Sequence, residues 1–166
     1  VAAAIMGGSF ASRLNRVLRE ERGWTYDVSA TAHALRSGGW LQVATSTQTA
    51  NVPALLEAAA AIVALEPHSF TEAEARDAVG HLVGIAPLSF STAEAVTAHA
   101  AGLASHGLSP DRADAELRAV AKVTAAQAEA AWRDLMDPAA VSLIVLGDAD
   151  ALADPLDLTP EPLPEL

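Results

Sequence analysis

Apolar positions fall into two periodicities along the chain, and these divide it into a short opening helix, a hairpin and a long helical stretch. Val1-Ala-Ala-Ala-Ile-Met6 reads as the tail of a helix already in progress, which Gly7-Gly8 interrupts and after which Ser9 can cap the next turn. Phe10, Leu14, Val17 and Leu18 then recur at helical spacing, so one apolar face is expected along residues 10–22, ended by Gly23. Residues 24–35 and 40–48 alternate and are rich in Thr, Val, Tyr and Trp, the pattern of half-buried strands. With Ser37-Gly38-Gly39 as the turn, an antiparallel hairpin is expected to carry Tyr26, Val28, Ala30 and Ala32 on one face. Asp27, Ser29, Thr31 and His33 then lie on the other.

Beyond the hairpin the period changes to that of helices. Asn51 with Pro53 marks a start, and Leu55, Leu56, Ala59, Ile62 and Val63 form a stripe. Thr71 with Glu74, Ser91 with Glu94 and Thr124 with Gln127 fit the capping box, and Ser109-Pro110 adds another start. These signals predict helices over 52–65, 72–86, 92–105, 110–121 and 125–136. Val141-Ser-Leu-Ile-Val-Leu146, bounded by Pro138 and Gly147, predicts a short buried strand that completes the sheet. Residues 151–166 are Pro- and acid-rich and read as a tail or linker after a domain of residues 1–150. The order expected is a hairpin followed by helices and a closing strand.

Composition narrows the function. The chain has 166 residues, 51% of them hydrophobic, which suits one globular domain, and a net charge of -11, which opposes binding to a polyphosphate. Nucleic acid is therefore not an expected partner. There is no cysteine, so disulfides, thiolate metal sites and cysteine nucleophiles are excluded. No apolar run approaches the approximately 20 residues that span a bilayer, so a soluble chain off the membrane is expected, with the cytoplasm favoured over export. Its opening inside a helix suggests a piece of a longer parent.

Five histidines, His33, His68, His81, His99 and His106, invite a metal reading, yet neither H-E-x-x-H nor H-x-x-E-H occurs and no carboxylate sits between His99 and His106 at ligand spacing. Gly7-Gly8-Ser9 lacks the Lys-Ser/Thr of a phosphate loop and is read as helix punctuation. Arg13, Arg16, Arg19 and Arg22 are four of nine arginines, gathered off the apolar face of one short helix. That is either a solvated face balanced by Glu20 and Glu21 or a local positive site. Tyr26 starts the strand after that helix, and a reversal at Gly23 can bring its phenol near the Arg19 guanidinium. Together the two offer donors with no obligatory acceptor, which suits substrate carbonyls or a developing oxyanion. The competing account makes Tyr26 a core residue with its hydroxyl at the rim.

The segment from Gly7 to Tyr26, with its G-G-x-x-x-S-R-L and L-R-E-x-x-G-x-x-Y elements, resembles the C-terminal, substrate-binding domain of the pitrilysin/insulinase family of zinc metallopeptidases. The likeness runs more loosely to the closing Val-Leu-Gly-Asp, over most of residues 1–150. It implies an α+β fold, an antiparallel-rich sheet with helices packed on one face, in a domain of the pitrilysin and mitochondrial processing peptidase type that begins inside its first helix, without the strand before it. By position Arg19 would bind a substrate carbonyl and Tyr26 would donate to the oxyanion, while Arg13 and Gly23 would be structural. The zinc ligands and the general-base glutamate of H-x-x-E-H are missing, so the resemblance implies a chain inactive alone and without a cofactor of its own. Zinc is expected in a complementary domain or subunit, with a peptide as substrate and a dimer as one arrangement. The alternative within the family is a non-catalytic structural subunit or scaffold.

Overall fold

The computed structural model describes residues 1–65, 69–136 and 140–159. The chain is α+β: α1 (Ala2–Met6), a π-helix (Asn15–Glu21), strands β1 (Thr25–Leu35) and β2 (Gly38–Thr47), then α2 (Val52–Val63), α3 (Glu72–Ile85), α4 (Ala93–Ser105), α5 (Arg112–Val120), α6 (Ala125–Leu135) and α7 (Ala149–Leu156). The two strands pair antiparallel, with Leu35 opposite Gly38, so the turn is Arg36-Ser37 rather than Ser37-Gly38-Gly39.

The core has two parts. Ile5 and Met6 of α1, Ala30 of β1, Ala75 and Ala78 of α3 and Trp132 of α6 pack in the larger, where Trp132 Nε1 donates to Val63 O at 2.8 Å. Leu14 and Leu18 meet Val28 and Leu55 in the smaller. The helices thus cover the Val28–Ala30 face of the hairpin. Gly7 is where α1 crosses β1: a Cβ there would stand 2.8 Å from the Ala30 Cβ and backbone N, so only glycine permits the approach.

The helix after the Gly-Gly turn differs from the regular α-helix expected. Leu14 and Leu18 are fully buried as anticipated, but Phe10 is 72% exposed. The wider π turn re-phases the helix, and its end is closed by Arg22 N to Val17 O, Gly23 N to Arg19 O and Trp24 N to Leu18 O, with Gly23 at φ +64°.

Capping accounts for most later boundaries. Thr71 with Glu74 and Thr124 with Gln127 form reciprocal boxes. At α4 the cap is Thr92, which accepts from Ala95 N, instead of Ser91. α5 begins at Arg112, two residues past the Ser109-Pro110 signal. Val141–Leu146 departs further from expectation: it carries no strand pairing, and Ile144 is 89% exposed. A strand needs a neighbour to satisfy its N–H and C=O groups, and the hairpin is the whole sheet among the described residues. Residues 149–156, part of which read as tail, form α7. The Asp148 carboxylate accepts from Asp150 N and Ala151 N, and Leu152 is buried.

Arg13 joins the π-helix segment to α3. Its Nε and Nη2 donate to the two Glu74 oxygens at 2.6 and 2.8 Å, and its guanidinium lies 5.0 Å from the centre of the Phe70 ring. The Arg13 bonds, with help from Thr71 and against the effect of burial, hold the Glu74 carboxyl at about 2, below its ordinary 4.5. An unfolded chain takes up that proton near 4.5, so the stabilisation is complete above that pH and is lost as pH falls toward about 2. Urea midpoints measured from neutral pH into acid should therefore fall more steeply for the wild type than for Glu74→Gln.

Candidate substrate-binding site

Three hydroxyls shape the start of β1. Between the pairs Thr25–Thr47 and Val28–Thr45 the register shifts, so Tyr26 and Asp27 together oppose Ser46 in a β-bulge. Thr25 Oγ1 lies 2.8 Å from Asp27 O and 2.7 Å from Ser46 O, Thr45 Oγ1 donates to Asp27 O at 2.8 Å, and Thr47 Oγ1 donates to Trp24 O. The extra residue changes which side chains share a face. Thr25 and Val28 are buried, whereas Tyr26 is 86% exposed and leaves the Val28–Ala30 face to which alternation assigned it. A core role for Tyr26 is thereby excluded, and among the described residues its hydroxyl makes no hydrogen bond.

Asn15 holds this bulge against the π-helix. Its Nδ2 donates to Val28 O at 2.7 Å and its Oδ1 accepts from Val28 N at 3.0 Å, with Ser12 Oγ and Ser9 O each 3.1 Å from Nδ2. An amide side chain here does what a neighbouring strand would do, pairing both backbone groups of one residue. Asn15 is buried, four residues before Arg19 in the helix, and its contact is two residues after Tyr26 in the strand. Sequence reading passed over it. The available signal was a polar residue beside Leu14 on the buried side, where asparagine is a poor helix former and needs a specific partner.

The four arginines separate by their contacts. Arg13 is tied to Glu74, and Arg16 stands 3.8 Å from Glu21. The Arg22 guanidinium lies over the Trp24 ring at 5.3 Å and that of Arg19 over the Phe10 ring at 4.9 Å. Arg19 makes no ion pair among the described residues. Exposed Phe10, expected on the apolar face, is thus a platform that supports a guanidinium while leaving its in-plane N–H donors open. Arg19 is half-buried and Tyr26 lies just past the Gly23 reversal, so neither is sealed in the core. The site is thus an accessible guanidinium and an accessible phenol on either side of one glycine turn, each on a braced backbone.

The histidines follow a different pattern. His33 stacks on Trp40 with ring centres 4.7 Å apart, His99 packs edge-on against Phe90, and His106 Nδ1 lies 2.9 Å from Gly102 O. His68 lies outside the described residues. Among those described, no three His, Asp or Glu side chains stand close enough to share a metal ion, so zinc does not fit this set of donors.

Residues 1–80 match the family described as the peptidase M16 inactive domain. Among solved structures the chain is similar to the peptidase M16 inactive domain from Pseudomonas fluorescens, with a TM-score of 0.71 and 21% identity over 82% of this chain. The match covers 33% of that structure's chain, so this sequence spans about a third of its length. No curated protein matches. Residues 1–80, just under half of the chain, thus carry the sequence pattern of the pitrilysin-type (M16) inactive domain, and the fold shared with that domain extends over 82% of the chain.

Proposed function

We propose that this chain is the substrate-binding half of a zinc-dependent endopeptidase. Arg19 and Tyr26 grip an extended peptide near the scissile bond, and the zinc ligands lie in a complementary domain or subunit. The observation that carries this reading is an Arg19 guanidinium set on Phe10 without an ion pair and an exposed Tyr26 phenol without a hydrogen bond, both among the described residues, on either side of the Gly23 turn. In an acidic protein both donors would be readily satisfied from within, and leaving them open suits a ligand rich in carbonyl oxygens. Arg19 donates to a backbone carbonyl of the peptide, and Tyr26 donates to the oxygen on which negative charge develops. The braced bulge and π-helix fix the two backbones beforehand, so less ordering is required when the peptide arrives.

The exposed Val141–Leu146 segment supports a complementary domain. Its apolar side chains, on a backbone with no strand pairing among the described residues, form a surface that a strand or sheet edge can cover. The test is to mix the chain with a zinc-bearing pitrilysin-family partner and follow cleavage of an unfolded peptide. Cleavage is expected from the mixture and from neither component alone. A partner that cleaves equally well without this chain contradicts the proposal.

A further inference from the structure

A groove of about 280 Å³ lies between the Gly-Gly-Ser turn and α3, lined by Ile5, Phe10, Asp77, Ala78 and His81 among others. Small-molecule pockets run to about 300–1,000 Å³, so this one has the size for a single side chain rather than a whole ligand. Ile5 and Ala78 are buried and give it an apolar floor. Phe10 is one wall, and its ring is the one beneath the Arg19 guanidinium, so the groove opens where the peptide-binding donor sits. Glu74 also borders it, but its oxygens are engaged by Arg13 and Thr71. Asp77 differs: among the described residues its carboxylate has neither ion pair nor hydrogen bond.

We infer that this groove is a subsite for a lysine or arginine side chain of the bound peptide. The inference rests on the reading that Arg19 holds that peptide's backbone. The methylene stem lies along Phe10 and Ile5, and the cation reaches Asp77. A purely aliphatic side chain would fill the floor but strip water from the Asp77 carboxylate without replacing it. An acidic one would meet that carboxylate and the chain's net charge of -11. A cation on an apolar stem satisfies both ends.

The experiment is fluorescence anisotropy of the chain with labelled, extended peptides that carry one lysine at successive positions, each beside a norleucine control. At one position lysine should bind about 5-fold more tightly than norleucine, the upper range of a solvent-accessible ion pair. Asp77→Asn should erase that preference, weakening the lysine peptide and not the norleucine one, Asp77→Glu should keep it, and Arg19→Ala should weaken both peptides alike. Lysine preference that survives Asp77→Asn, or measurable binding with no lysine preference at any position, overturns the subsite and leaves the role of Arg19 standing. Norleucine and lysine peptides that bind with undiminished affinity after Arg19→Ala overturn the reading beneath it.

Discussion

Arg19→Ala should lower kcat/KM for peptide cleavage by the reconstituted pair about 10–10²-fold, the cost of removing a charged-group hydrogen bond of about 1.5–3 kcal/mol to a substrate carbonyl. Stability should change little, because the side chain's contact among the described residues is the Phe10 ring, an exposed cation–π contact of about 0.5–1 kcal/mol. Arg19→Lys separates charge from geometry. An ammonium retains the positive charge but cannot present parallel N–H groups from a plane stacked on Phe10, so it should recover only part of the loss. The measurement is steady-state cleavage alongside a thermal melt of each variant. A rate loss accompanied by an equal collapse in melting temperature would mean that Arg19 is structural.

Asn15→Ala should destabilise the chain by about 2–6 kcal/mol. The substitution leaves the N–H and C=O of buried Val28 without their partner, at about 1–3 kcal/mol for each group. It also releases the bulge that turns Tyr26 outward, so cleavage by the fraction that remains folded should fall as well. Asn15→Asp keeps the acceptor for Val28 N but sets a carboxylate against Val28 O, and should rescue neither property. Urea unfolding followed by tryptophan fluorescence checks the stability. An Asn15→Ala variant within about 0.5 kcal/mol of wild type, the usual range for surface substitutions, would show that the clamp contributes nothing.

What the sequence made legible was local. The Thr71–Glu74 and Thr124–Gln127 boxes each lie within a single turn, and both form as expected. At α4, Ser91 and Thr92 compete for the same role, and only the bond to Ala95 N in the folded chain distinguishes them. Gly23 ended its helix as expected because a positive φ at that point demands glycine. The non-local features left no such mark. A π turn over Asn15–Glu21 depends on a helix-to-strand clamp at Val28, and the bulge at Tyr26-Asp27 on threonines some twenty residues apart. Strict alternation placed Tyr26 beside Val28 because one inserted residue has no signature in the strand's composition. Val141–Leu146 has the residues of a strand, but pairing is a property of two segments. For α7, the cap at Asp148 was readable, but the prolines that follow concealed it.

Of the candidate site, only the spacing of Arg19, Gly23 and Tyr26 was legible. Its supports, Asn15 and Phe10, were not, because neither advertises its role in a linear pattern. Whether the two donors act on one ligand is tested most directly by a double-mutant cycle in the reconstituted assay, using Arg19→Ala, Tyr26→Phe and both together. Groups that hold the same peptide should couple by about 1 kcal/mol or more, so the double variant loses less than the two single losses combined. Losses that add to within about 0.5 kcal/mol would mean that the guanidinium and the phenol act independently.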